Sequence, residues 1–183
     1  AFDWMEDRSG MRGAQMLAPS ALAGPAFPPL DDRYDIRSGM RNVNNTTLKG
    51  VSATVNWRPN DDWAFKYIIA KRESDTETNI DFDTLPQKIA DVRAFYSDSQ
   101  VSNELQVNYD AGGRSRGVVG VYWFNGDAGG QVLNNFFNLS FGDTQGVVNT
   151  TSTAFYGNWT FDLSERLKLD VGARYTDEDK HAI

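Results

Sequence analysis

The stretch YGNWTFDLSERLKLDVGARYTDEDK, Tyr156 to Lys180, decides how this chain reads. Its second half alternates strictly. Leu167, Leu169, Val171, Ala173 and Tyr175 take one side, and Lys168, Asp170, Gly172, Arg174 and Thr176 take the other. Successive side chains of an extended strand point to opposite faces, so a period of two defines a strand with one apolar and one polar face. Just upstream, Phe155, Gly157, Trp159 and Phe161 oppose Tyr156, Asn158 and Thr160, and Leu163 to Arg166 form a turn short enough to join the two strands as a hairpin.

The same pattern recurs toward the N-terminus. Val51, Ala53, Val55 and Trp57 oppose Ser52, Thr54, Asn56 and Arg58. After the turn Pro59-Asn60-Asp61-Asp62, Trp63, Phe65, Tyr67 and Ile69 alternate with Ala64, Lys66, Ile68 and Ala70. Val101, Leu105, Val107 and Tyr109 oppose Ser102, Glu104, Gln106 and Asn108, and a Gly112-Gly113 turn leads to a partner strand that is apolar on both faces and so has no assignable orientation. The expectation is an all-β antiparallel up-and-down meander of about six strands, at 46–58, 62–73, 99–109, 116–125, 151–162 and 167–177. Residues 1–45, interrupted by Pro19, Gly24, Pro25, Pro28 and Pro29, read as loop. The connections 74–98 and 126–150 read as long loops of about 25 residues each, unusual for a compact soluble domain. A short helix over 84–96, with Pro86 in its first turn, is also expected.

Turn length and aromatic placement give this meander a direction. The hairpin turns lie at one end and the long connections at the other, the arrangement of bacterial outer-membrane barrels. Trp57, Trp63, Tyr109, Trp159 and Phe161 gather beside the short turns, as aromatic side chains do at a membrane interface. No apolar run approaches the roughly 20 residues of a spanning helix. A mean hydropathy of −0.52 with 13% aromatic residues fits a barrel wall, whose strands dilute their apolar side chains by alternation. Alternation alone also fits a soluble β-sandwich, which would serve as a binding module, conceivably for carbohydrate.

Several chemistries are excluded or disfavoured. A formal net charge of −7 repels nucleic acid, and the absence of cysteine removes disulfides and thiolate metal sites. The single histidine, His181, cannot build a histidine-rich metal site, and without a nucleophile elbow motif it makes a hydrolase triad implausible, so no catalytic residue, no metal ligand and no cofactor are expected. The carboxylates of Asp31-Asp32, Asp61-Asp62 and Asp177-Glu178-Asp179 lack the spacing of a calcium loop and read as solvated turns. Gly112 to Gly117 sits between two strands, where a hairpin turn, not a phosphate cradle, belongs.

Three runs carry a resemblance: QVSNELQV (Gln100 to Val107), GVVGVYWFN (Gly117 to Asn125) and Tyr156 to Lys180, quoted above. They resemble mid-barrel strands of proteobacterial TonB-dependent receptors, over residues 46–180, and Asp31-Asp32-Arg33-Tyr34 looks like an extracellular loop of that family. The resemblance implies part of a large transmembrane outer-membrane β-barrel of about 22 strands, closed by an N-terminal plug. Such a receptor takes up a scarce ligand (siderophore-bound iron, cobalamin or an oligosaccharide) with energy delivered by TonB. The implied partners are outer-membrane lipid and lipopolysaccharide, TonB through the plug region, and a small-molecule or glycan ligand; the implied location is the Gram-negative outer membrane. Six strands cannot close so wide a barrel, so the chain is expected to be a segment of a longer protein.

With apolar faces against lipid, the polar faces line the interior. Lys66, Glu104, Gln106 and Arg174 are the lumen-facing candidates, accompanied by Arg72, Asn108, Lys168 and Asp170. For ligand contact the connection 126–150 offers Asn134, Asn135, Phe136, Phe137 and Phe141, amide and aromatic groups suited to sugars or chelates, unless the rings pack on one another over the mouth.

Overall fold

The computed structural model describes all residues, Ala1 to Ile183. It contains eight strands and no helix: β1 (Phe2–Ser9), β2 (Asn44–Trp57), β3 (Trp63–Asp81), β4 (Ala90–Asp110), β5 (Ser115–Phe136), the two-residue β6 (Leu139–Ser140), β7 (Thr144–Ser164) and β8 (Leu167–Ala182). All pair antiparallel in one sheet of order β1-β2-β3-β4-β5-β7-β8, with β6 attached to β5. Of 108 backbone–backbone hydrogen bonds, 95 lie within this regular structure, so the ladder itself is the framework.

The tight turns follow their sequences. Asn60 Oδ1 accepts from the Asp62 and Trp63 amides. Asp110 Oδ1 accepts from the amide of Gly112, whose φ of 69° only glycine adopts without strain. Ser164 Oγ accepts from the Arg166 amide, beside a register shift between Asp162 and Ser164.

The strands run farther than the alternation marks. β3 pairs with β4 continuously from Trp63 opposite Tyr109 to Asp81 opposite Asp91, a ladder about 60 Å long by strand rise. Segment 74–98 is therefore mostly strand, interrupted only at 82–89, and 126–150 is strand except around the β6 turn. The expected helix over 84–96 is absent, because Ala90 to Tyr96 are held in β4 by pairing to β3 and β5. Within 1–45, Phe2–Ser9 forms β1 on the edge of β2. None of these segments shows a sustained apolar alternation: Phe2 and Trp4 begin a β1 that soon turns polar, and Ala90, Val92, Ala94 and Tyr96 are too short a run to tell from a helix. Glu73 to Thr78 is polar at every position, so no hydrophobic period marks it, and only cross-strand hydrogen bonding reveals it as strand.

Register converts the alternation into a continuous surface. Residues directly opposite share a face, so Val55, Tyr67, Leu105, Val121, Phe155 and Tyr175 form one row across six strands. The next row toward the short turns is Trp57, Phe65, Val107, Val119, Gly157 and Ala173. Beyond it, Trp63, Tyr109, Gly117, Trp159 and Val171 align. Trp63 and Tyr109 lie 4.8 Å apart by ring centroid, and Tyr109 stacks on Trp159 at 5.8 Å. Gly117, between Tyr109 and Trp159, makes that stack possible: a Cβ there would fall inside the Trp159 ring and 2.6 Å from the Asn158 carbonyl oxygen. The strand whose two faces were both apolar is thereby oriented, with Val119, Val121 and Trp123 on this surface.

This surface does not bury itself. Only 13 of 183 residues are buried, and of the apolar ones Met11, Ala23, Val43, Leu85, Val92 and Ala94 lie in the 10–43 segment, the 82–89 turn and the outer end of β4, away from this surface. Phe155 and Trp57 are each 60% exposed and Val171 51% exposed, whereas Lys66, Glu104 and Gln106 on the opposite face are only half-buried. A water-soluble sandwich has the reverse arrangement. Leaving such a band wet forgoes roughly 1.5–3 kcal/mol per large apolar side chain, and hydrocarbon removes that cost.

The band is also tilted. Its outer border runs from Trp4 on β1, opposite Lys49, to Tyr175 on β8, in the row of Val55. Along β2 those rows are six residues apart, and six strand-to-strand steps separate β1 from β8. A stagger of one residue per strand, about 3.4 Å against a spacing of about 4.8 Å, gives a strand tilt of about 35°, the value expected of a barrel wall. Above the border the same face becomes charged at Lys49, Lys71, Glu73, Asp177 and Asp179. A span needs roughly 9–11 residues of each strand, so the remaining half of each ladder stands outside the membrane.

Two substitutions test this surface. Val171 is central in the apolar run of β8, so Val171→Lys is expected to cost about 2–4 kcal/mol of assembly in lipid vesicles; Thr176→Lys on the opposite face should cost far less, and equal effects in a heat-modifiable gel-shift assay would contradict the assignment. Gly117→Val should destabilise by about 1–3 kcal/mol through overpacking, read as a lowered melting temperature in detergent, while Gly113→Val, where a Cβ meets nothing within 4 Å, should be neutral.

Candidate functional site

The four lumen-facing candidates are brought side by side onto the polar face, with Glu104 and Gln106 hydrogen-bonded. Lys66, Gln106, Gly120, Tyr156 and Arg174 are successive cross-strand partners, and Glu104 is one same-face step along β4 from Gln106. The Tyr156 hydroxyl donates to Glu104 Oε1, which also accepts from Gln106 Nε2 at 3.0 Å. The Arg174 guanidinium lies 5.9 Å from the centre of the Tyr156 ring. Gly120 again makes room, since a Cβ at that position would fall on the Tyr156 ring. The arrangement holds one carboxylate among two cations, an amide and a phenol. It fixes polar groups on a wall and offers no nucleophile beside a base. Tyr156 was not among the expected residues; its signal was its position on the polar side of the alternating 155–161 run.

The remaining candidates separate. Arg72 is 3.7 Å from Asp3 across Gly50, where any side chain would collide with the Asp3 carboxylate. Asp170 accepts from Thr160, and Lys168 is 3.5 Å from Asp162, which also pairs with Arg116 at 3.1 Å. These are braces between neighbouring strands.

At the other end, Asn134, Asn135 and Phe136 terminate β5, and Phe137 and Asn138 make the turn into β6 with φ of 51° and 61°. Asn134 Nδ2 donates to the Gly142 carbonyl at 2.8 Å, and Phe136 and Phe141 pack edge-to-face at 5.5 Å. Asn134 and Phe136 share one face and Asn135 faces the opposite way. The five thus form no single patch. Phe137 and Phe141, each 68% exposed, remain available at the tip.

Asn135 joins a different group. It pairs in register with Asp91, which pairs with Asp81. Carboxylate oxygens of Asp81, Asp83 and Asp91 lie within 4.8 Å of one another. Asp81 accepts from the Thr84 and Gly39 amides, and Asp83 from Leu85, Ile89 and Ala90, so both organise the turn. Burial, then the charges of Asp81 and Asp83, push Asp91 up to about 6, and Lys88 only partly offsets them. This cluster lies outside the three carboxylate groups singled out in the sequence, Asp31-Asp32, Asp61-Asp62 and Asp177-Glu178-Asp179. It escaped the sequence reading because a helix was expected there, whereas continuing the β3–β4 register would have set Asp81 opposite Asp91.

A cavity of about 1110 Å³ spans the outer ends of β2 to β7. Most of its lining, including Asp75, Glu77, Ser97, Asp127 and Gln131, shares a face with the apolar band, so in a closed wall it opens outward, away from the polar row.

A tilted sheet with an exposed apolar band, a polar opposite face and short turns at one end defines the wall of an outer-membrane β-barrel. The family comparison agrees: residues 4–182 match the model of the TonB dependent receptor-like β-barrel, and the chain belongs to that family. In fold it is similar to the ferric yersiniabactin uptake receptor FyuA from Yersinia pestis, with a TM-score of 0.57 at 16% identity over 76% of this chain. The chain spans 24% of the length of that receptor. No curated protein matches.

The raised Asp91 predicts a pH dependence. Its folded-state pKa lies above the ordinary carboxylate value, so the folded form binds more protons, and the associated stability is present below about pH 4 and lost as pH rises through 6. With divalent ions chelated, Asp91→Asn should therefore raise the melting temperature more at pH 7 than at pH 5. The groups facing this point are Asp81, Asp83, Lys88, Arg41, Glu77, Arg93 and Asp143. Equal shifts at the two pH values would refute the assignment.

Proposed function

We propose that this chain is a wall segment of a TonB-dependent outer-membrane receptor that imports a scarce ligand, with a ferric siderophore as the first candidate. The observation that carries the reading is the tilted apolar band, exposed on one face while the polar face is braced and half-buried. Membership of the receptor family supports transport, and the iron-chelate uptake named for the similar receptor favours siderophores over cobalamin or oligosaccharide. The apolar face contacts lipid in the Gram-negative outer membrane, and the charged rows above it meet lipopolysaccharide. The face bearing Lys66, Glu104, Gln106, Tyr156 and Arg174 lines the lumen, where mixed charges keep the inner wall hydrated beside a plug.

The outer edges of β1 and β8 have no partner in this sheet. Unpaired backbone groups in hydrocarbon cost several kcal/mol each, so in the membrane both edges pair with further strands of a closed barrel. Ligand contacts come from the exposed tip that carries Phe137 and Phe141, with Asn134, Asn135 and Phe136 shaping it.

Deleting the gene in its native host is expected to abolish energy-dependent uptake of at least one ⁵⁵Fe-loaded siderophore from a panel of catecholate, hydroxamate and mixed types. Loss of labelled cobalamin or maltooligosaccharide uptake instead would reassign the ligand. Undiminished uptake of all three, or uptake indifferent to TonB, would refute the transport reading.

A further inference from the structure

We propose that the outer end of the β3–β4 hairpin is a calcium site, with carboxylate oxygens from Asp81, Asp83 and Asp91 and amide oxygens from Asn79 and Asn135. The acidic cluster alone does not carry this. What carries it is where buried hydrogen-bonding capacity goes unused. In the whole chain four buried side-chain oxygens lack a hydrogen-bond partner: those of Asn79, Asp91, Asn135 and Asp162, the last of which is ion-paired to Lys168. The first three converge on one place. Asn79 lies one same-face step along β3 from Asp81, and Asp91 is the register partner of both Asp81 and Asn135. Asn79, Asp91 and Asn135 also line one cavity of about 550 Å³.

These residues are not casually exposed. Asn79 and Asp91 are each only 4% exposed. The Asn79 amide is oriented, because its Nδ2 donates to the Arg41 carbonyl at 2.7 Å, which turns Oδ1 away from that contact. Native structures rarely leave buried polar atoms without partners, and every unpartnered atom here is an acceptor. The missing occupant must therefore bring positive charge or donors.

Local side chains do not saturate these acceptors: Lys88 lines the cavity and partly offsets the charge on Asp91 but forms no ion pair within 4.0 Å with any of these carboxylates. Arg41 and Arg93 are both directed to Glu77, at 3.4 and 3.7 Å. Asp81 and Asp83 already accept amide hydrogens, but each carboxylate oxygen has two lone pairs, and Asp91 accepts nothing. A donor set of carboxylate and amide oxygens, without nitrogen or sulfur, is that of a hard cation. Calcium tolerates six to eight oxygens in irregular geometry, whereas magnesium demands a tight octahedron and retains its water. Ligands drawn from β3, β4, β5 and the intervening turn suit the more permissive ion.

Bound there, calcium would pin the 82–89 turn to the tip of β5, next to the exposed Phe137 and Phe141. The site would thus set the shape of the receptor's outer mouth without touching the ligand. The proposal stands apart from the transport reading, since calcium binding is measured with no transported ligand present.

The receptor carrying this chain, purified in detergent and stripped with EDTA, is titrated calorimetrically with CaCl₂. Wild type is expected to bind one more calcium per receptor than Asp91→Asn, while Asp143→Asn, which lines the same cavity outside the cluster, should match wild type. Magnesium should bind at least tenfold more weakly. Equal calcium stoichiometry in wild type and Asp91→Asn overturns the proposal. Should Asp91→Asn fail to assemble, hydrogen exchange on wild type decides: calcium must slow the amides of 79–91 relative to EDTA, and unchanged exchange overturns it equally.

Discussion

The antiparallel hydrogen-bond ladder is the constraint from which the rest follows. A sheet that presents large apolar side chains outward has to reside in hydrocarbon, and there no water exists to satisfy a stray amide or carbonyl. Every spanning residue therefore has to pair with a neighbouring strand. That requirement explains the long uninterrupted registers between β2 and β8, the single bulge confined to the Asp162–Ser164 turn, and the lack of a buried core. Cohesion comes from the backbone, and side chains are left to meet the solvent on either side.

Glycine and aromatic residues work together within that constraint. Gly117 accepts the Trp159 ring on the outward face, and Gly120 accepts the Tyr156 ring on the inward one. The first contact builds an aromatic band at the membrane border nearest the short turns. The second lets a phenol reach across to Glu104 and locks the polar row. Two glycines three residues apart on β5 therefore serve opposite faces, as the period of two requires.

Beyond the membrane the ladders continue on different terms. Their outward face carries Lys71, Glu73, Asp75 and Asp177 where it had carried Ile69 and Tyr175, so hydrophobic burial is confined to a small cluster of side chains, among them Val43, Leu85, Val92 and Ala94, and the outward face lies beside water. Stability there depends on local devices: carboxylates that cap turns, cross-strand ion pairs, and in the Asp81–Asp91–Asn135 group an acceptor-rich centre suited to a cation. The ends far from the short turns are also where simple patterning has least to say.

Alternation by itself determined the strand character of 46–58, 62–73, 99–109 and 151–177, the apolar and polar sides of all but one strand, the short turns and the outward aromatic residues. It did so because in these stretches hydrocarbon on one side and water on the other impose the period directly on the sequence. The half of each ladder farther from the short turns, β1, and the placement of the cluster around Asp91 were decided only by tertiary structure. Those segments are mostly polar on both faces or carry apolar runs only a few residues long, so composition does not record their partners. Register, inherited residue by residue from the membrane-spanning part of each hairpin, is what sets Asp81 opposite Asp91, and register is a property of two strands that neither strand's sequence contains.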